Sequence, residues 1–133
     1  MKMWNNRILP VLVATIWISF SEFARNEFLL RSYWSDHYGA MGLVFPSEPV
    51  NGAVWGIWSL LFAIFTLIIT RRFSFWETVG LAWLAGFILM WVVTGNMGVL
   101  PFNLLIWAIP LSILETVLAV WIILKLAPVA NKT

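Results

Sequence analysis

The fold of this chain is decided by residues 104–124, which read LLIWAIPLSILETVLAVWIIL. The run is close to the ~20 residues that cross a hydrocarbon core as a helix. Glu115 stands about ten residues before Lys125, so at 1.5 Å per residue it falls near the bilayer midplane. A carboxylate at that depth costs at least ~2.5 kcal/mol, which makes Glu115 a candidate functional residue.

Composition places the whole chain in a membrane. Its 133 residues are 62% hydrophobic and 11% charged, and the mean hydropathy is +0.90. Soluble domains contain about 25% charged residues. We therefore predict an all-α integral membrane protein whose single transmembrane domain occupies residues 1–133.

Several kinds of site are excluded by the residues that are missing or rare. Cysteine is absent and His37 is the sole histidine, so thiolate and multi-histidine metal sites are excluded and we expect no metal. The net charge is only +2 and the basic residues form no run, so we expect no nucleic-acid partner. The sequence leaves the identity of any cofactor unknown.

Four apolar stretches predict a four-helix transmembrane bundle. They cover about residues 8–28, 53–70, 76–94 and 104–124. Turn-forming residues separate these stretches. The first connection ends with Pro46, Pro49 and the dipeptide Asn51-Gly52, the second contains Arg71-Arg72, and the third contains Gly95, Gly98 and Pro101. No small-x-small cleavage site follows the first stretch, so we expect a retained span rather than a secretory signal.

The distribution of basic residues predicts the orientation. Four spans put both termini on one side, and that side collects six of the eight basic residues: Lys2, Arg7, Arg71, Arg72, Lys125 and Lys132. The positive-inside rule then places both termini in the cytoplasm. We expect a multi-pass protein of the bacterial inner membrane.

A short amphipathic helix is predicted after the first span, over residues 30–41. Its apolar face repeats at helical spacing, and Tyr and Trp side chains suit the headgroup level. The helix could serve only as an interfacial anchor, or it could be a lid over an outward-facing cavity. His37 on this helix fits a hydrogen-bonded anchor, with a single haem ligand or a proton relay as the alternatives.

Polar residues share one face of the first span. Ser19, Glu22 and Asn26 recur at helical spacing, and Arg25 stands three residues after Glu22, so the two can pair. This stripe should face the other helices. A local ion pair and a binding or proton-transfer role remain equally open.

The fourth span carries a second polar face of small residues around Glu115. Ala108, Ser112, Thr116 and Ala119 surround it on that face, and small residues let helices approach closely. Two interpretations stay open for Glu115. It could hold the bundle together through hydrogen bonds, or it could serve a proton-coupled or catalytic function.

Ten tryptophans are too many for interfacial belts alone. Those in the outer half could line an outward-opening aromatic pocket with a few polar groups, the usual make-up of a small-molecule site. Alternatively, these indoles face lipid or a partner protein. The predicted ligand-binding residues are Glu22, Arg25, Asn26, Trp55, Trp58, Trp91, Asn96 and Glu115.

Three functions remain consistent with these features, and enzyme activity is not favoured because soluble-enzyme motifs are absent. The preferred one is binding of an apolar or amphipathic small molecule or a lipid in the outward-facing pocket. The second is an accessory subunit of a larger membrane complex. The third is a proton-coupled carrier or a membrane isomerase that uses Glu115 and Glu22. Expected partners are the lipid bilayer and further membrane subunits, either copies of this chain or other proteins.

Overall fold

A computed structural model describes residues 1 and 3–128, and this part of the chain is helical without any strand. Four of its helices are long and apolar enough to cross a membrane, which confirms the predicted all-helical class and the number of membrane-length segments. All four extend beyond the predicted apolar stretches because their polar end residues are also helical. The helices are α1 (Trp4–Leu29), α2 (Arg31–Ala40), α3 (Pro49–Thr70), α4 (Phe75–Asn96) and α5 (Phe102–Leu126).

Local sequence signals explain where the helices begin and turn. Glu48 is extended just before α3, its backbone N–H donates to Asn51 Oδ1 at 3.0 Å, and Pro49 occupies the first turn. At the start of α4, Glu77 accepts a hydrogen bond from the backbone N–H of Ser74 at 2.9 Å. Gly98, in the turn before α5, has φ +75°, a conformation that glycine adopts without steric cost.

Small residues allow the long helices to pack closely. Helix α1 contacts α3 and α5, and α4 also contacts both α3 and α5. Ala14, Ala63, Ala82 and Ala119 are fully buried where these helices meet. Gly86 is required for a close approach, because a Cβ there would lie 2.7 Å from a ring carbon of Phe62.

One end of the molecule carries four of the six basic residues that the structure describes and is called the basic end here. Arg71 Nη2 donates to the backbone oxygen of Asn6 at 3.0 Å, which joins the end of α3 to the start of α1. Val11, Leu67 and Ile123, which lie towards this end, belong to the buried core that runs through the bundle. The basic end therefore contains Arg7, Arg71, Arg72 and Lys125, whereas Lys2 and Lys132 lie outside the described residues.

Helix α2 folds back over the opposite end of the long helices. Leu30, just before α2, is buried with Leu100 and Leu104. The His37 Nε2–H donates to the carbonyl of Gly98 at 2.8 Å, so the hydrogen bond predicted for this histidine is present. Trp34 stacks on Phe45 with ring centroids 5.5 Å apart, which also holds the connection between α2 and α3 against the helix.

Candidate functional site

A cavity of about 840 Å³ lies at the end of the molecule opposite the basic end. Residues of α1, α3, α4 and α5 form its walls, and α2 with the connection that follows it covers one side. Aromatic side chains make up much of the wall: Trp34, Tyr38, Phe45, Trp55 and Trp91. Polar side chains of α1 also line the cavity, among them Glu22, Arg25 and Asn26.

Arg25 joins two carboxylates in the protein interior. Its Nη1 donates to Glu115 Oε2 at 2.9 Å, and its Nη2 donates to Glu22 Oε1. Only 5% of Arg25, 4% of Glu22 and 1% of Glu115 is exposed. These three residues are called the Glu22–Arg25–Glu115 cluster below. Charged groups this deeply buried are stable only when paired and hydrogen-bonded, which the cluster provides.

Glu115 lies behind the cavity and binds α1 at further points. Ser21 Oγ donates to Glu115 Oε2 at 2.6 Å, and Trp17 Nε1 donates to the Glu115 backbone oxygen at 3.0 Å. Glu115 Oε1 accepts no hydrogen bond from the described residues. The carboxylate therefore holds α5 to α1 through one oxygen and keeps acceptor capacity on the other.

A chain of hydrogen bonds runs from the cluster to the covering helix α2. Asn26 Nδ2 donates to Glu22 Oε2 at 3.0 Å, and Asn26 Oδ1 accepts from Trp34 Nε1, also at 3.0 Å. Both ends of the Asn26 amide are thus used, and the N–H of the partly buried Trp34 indole is hydrogen-bonded as well. The position of α2 is coupled in this way to the ionic groups beneath the cavity.

Two wide helical turns meet at Arg25. Residues Ala24–Leu29 of α1 and Leu84–Ile88 of α4 are π-helical. At the end of the α1 segment, the Leu30 N–H donates to the Arg25 carbonyl, five residues earlier, at 2.8 Å. The Arg25 guanidinium carbon lies 5.1 Å from the centroid of the buried Phe87 ring, a cation–π contact. Single π-helical turns occur frequently at functional sites, where they redirect side chains.

The structure brings together most of the predicted ligand-binding residues. Trp58 instead stacks on Phe62 in the core, with ring centroids 5.0 Å apart, and does not line the cavity. Asn96 is exposed at the end of α4, also away from the cavity. Glu115 does not line the cavity; it contacts Arg25, which does. The predicted residues that line the cavity are Glu22, Arg25, Asn26, Trp55 and Trp91.

Sequence reasoning did not assign a site role to several residues that the fold brings to this region. Ser21 lies one position from Glu22, but a hydroxyl in a span is too common to single out. Phe45 precedes Pro46, and this pattern predicts only a turn. The face that α2 turns to the cavity was visible in the helical spacing of Trp34 and Tyr38.

Among the described residues, no group of three or more Asp, Glu or His side chains could hold a metal ion.

Comparison of the chain with models of protein families, with curated proteins and with solved structures found no match. The arrangement offers an aromatic enclosure, an amide and a buried ionic cluster.

Proposed function

We propose that this chain is a multi-pass protein of the bacterial inner membrane with both termini in the cytoplasm. In this proposal α1, α3, α4 and α5 form a transmembrane bundle, and α2 lies at the outer interface. The collection of arginine and lysine at the basic end supports this orientation. The cavity then faces outward.

We further propose that the cavity binds an amphipathic small molecule. The observation that carries this proposal is the cavity itself, whose volume of about 840 Å³ lies in the range of small-molecule sites. Its aromatic wall suits the apolar part of a ligand, and its few polar groups suit the polar part. Asn26 and Glu22 lie where they can orient that polar part.

Apolar residues at the margin support entry of the ligand from the membrane. Phe23 and Phe28 of α1 and Val54 of α3 line the cavity and are also exposed on the outer surface of the molecule. In a bilayer these side chains would contact lipid. An amphipathic ligand could therefore reach the aromatic wall without leaving an apolar environment.

Native mass spectrometry of the protein, extracted from its own membrane in a mild detergent, tests the binding proposal. We expect a reproducible small-mass adduct that is reduced by Trp55→Ala, which removes an indole from the cavity wall. Trp107→Ala is the matched control, since that indole is exposed and does not line the cavity. An adduct lost equally in both variants, or no adduct at all, would count against the proposal.

A second candidate function rests on the Glu22–Arg25–Glu115 cluster. Two carboxylates that share one guanidinium beside a cavity could exchange a proton while a substrate binds, as a proton-coupled carrier or a membrane isomerase requires. Glu22→Gln and Glu115→Gln should then each abolish turnover while the protein stays folded.

If the protein extracted for native mass spectrometry is free of small molecules and is bound to another protein, the accessory-subunit function gains support instead.

A further inference from the structure

We propose that the ligand of the cavity is an amphipathic organic cation, such as a lipophilic amine or a quaternary onium compound. This inference rests on the proposed binding function and specifies its ligand class. Three features of the cavity carry it: the engagement of its guanidinium groups, the excess of carboxylates around it, and the aromatic wall.

Both guanidinium groups at the cavity lie within ion-pair distance of carboxylates, and that of Arg25 is fully engaged. Both terminal nitrogens of Arg25 donate to Glu22 and Glu115, and the side chain is almost fully buried. Arg31 Nη1 lies 3.5 Å from Glu27 Oε2, and 59% of its side chain is exposed. A phosphate or carboxylate headgroup is normally held by a guanidinium that can offer two parallel donors. Arg25 would have to give up a buried partner to do so.

Acidic groups outnumber basic groups around the cavity. Of the residues that the structure describes, Glu22, Glu27 and Glu48 line it, against Arg25 and Arg31. With all of these groups ionised, the lining carries a formal charge of one negative unit. Glu115 is in direct contact with Arg25 but does not itself line the cavity. In a partly water-excluded site this excess attracts a cation more strongly than it would in bulk water.

The aromatic wall suits a cation that also has apolar groups. Electron-rich faces of tryptophan and tyrosine attract onium groups, and recognition of quaternary ammonium by such faces is well established. Trp34, Trp55 and Trp91 all line the cavity. The wall alone would equally accept a neutral apolar ligand, so the excess of carboxylates decides in favour of the cation.

A pair of probes with the same shape and opposite charge tests the ligand class. Tetraphenylphosphonium and tetraphenylborate differ mainly in the sign of their charge. We would measure saturable quenching of tryptophan fluorescence for purified protein in an uncharged detergent, with partition into empty micelles subtracted. The expected result is that the phosphonium binds about tenfold or more tightly than the borate. Equal affinities, or tighter binding of the borate, would overturn the inference.

Charge-neutralising variants test whether the cavity carboxylates cause the tighter binding of the phosphonium. Glu22→Gln should weaken phosphonium binding by roughly fivefold or more, because it removes a carboxylate from the cavity at nearly constant shape. Asp36→Asn is the matched control: it makes the same change in charge at the same end of the molecule, but Asp36 is exposed and does not line the cavity. Should Glu22→Gln fail to fold, Glu27→Gln makes the same change at the cavity margin. Equal weakening in the cavity variant and the control would overturn the inference.

The variant Trp55→Ala separates failure of this inference from failure of the proposed function. If both probes bind with similar affinity and Trp55→Ala weakens both, the cavity is a binding site but does not select cations. If neither probe binds saturably, or if Trp55→Ala leaves both affinities unchanged, the binding function fails as well.

Discussion

Arg25 and Glu115 are ninety positions apart in the chain, yet Arg25 Nη1 and Glu115 Oε2 lie 2.9 Å apart in the protein interior. This ion pair joins α1 to α5 directly beneath the cavity. Glu22 binds the second terminal nitrogen of Arg25, and Asn26 extends the network to Trp34 on α2. The same interactions that hold the helices together therefore also position the polar groups of the candidate site.

Removing the Glu115 carboxylate should destabilise the protein strongly. Glu115→Ala breaks a buried pair and leaves Arg25 less compensated, and such changes typically cost about 3–5 kcal/mol. The thermal unfolding midpoint in detergent measures this loss. Glu27→Ala is the comparison, because its pair with Arg31 is on the surface and such pairs contribute about 0–1 kcal/mol. Equal losses in the two variants would show that the buried pair does not stabilise the fold.

Gly86 and Gly80 on α4 offer a matched pair of substitutions. A Cβ at position 86 would lie 2.7 Å from a ring carbon of Phe62, whereas nothing lies within 4 Å of a Cβ at position 80. Gly86→Ala should lower the free energy of unfolding by about 1–3 kcal/mol, since overpacking forces neighbours to shift. Gly80→Ala should be neutral or stabilising by up to ~1 kcal/mol, since alanine favours a helix more than glycine. The reverse order of stabilities would contradict the packing of α3 against α4.

The hydrogen bond between Trp34 and Asn26 should hold α2 over the cavity. Trp34→Phe keeps an aromatic ring against Phe45 but removes the N–H that donates to Asn26 Oδ1, at a cost of about 1 kcal/mol. We expect faster amide hydrogen exchange across residues 31–48, measured by mass spectrometry in detergent. Trp76→Phe is the control, because that indole is highly exposed. Unchanged exchange in Trp34→Phe would mean that the apolar contacts of α2 suffice.

The absence of cysteine makes the orientation simple to test. In intact cells, a membrane-impermeant maleimide should label Asp36→Cys, because α2 is proposed to lie on the outer face. Arg72→Cys, at the basic end, should be labelled only after the membrane is opened. Labelling of Arg72→Cys in intact cells, with Asp36→Cys protected, would invert the proposed topology.

Much of the fold follows from signals that are local in the chain. The membrane-length helices were predictable because each depends on a continuous apolar stretch and on turn residues at its ends. The pairing of Glu22 with Arg25 was predictable as well, since residues three apart share a helix face. The helical face of α2 could be seen in the spacing of Trp34 and Tyr38.

Other features depend on how the helices are rotated against one another. Trp55 and Trp58 are one turn apart on α3, yet only Trp55 lines the cavity while Trp58 packs into the core. A helix that is apolar on all sides carries no pattern that distinguishes a cavity-facing side from a buried side. For this reason the sequence could not exclude Trp58, or the exposed Asn96, from the candidate site.

The amino-acid sequence by itself determined that this is a helical membrane-type chain with carboxylates inside its spans, because hydropathy and helical periodicity are properties of neighbouring residues. Only the tertiary structure decided that Glu115 meets Arg25. Glu115 lies near the middle of an apolar span and has no charged neighbour on its own helix. Its partner is therefore set by the helix that packs against it, and that packing depends on the shapes of side chains distant in the chain.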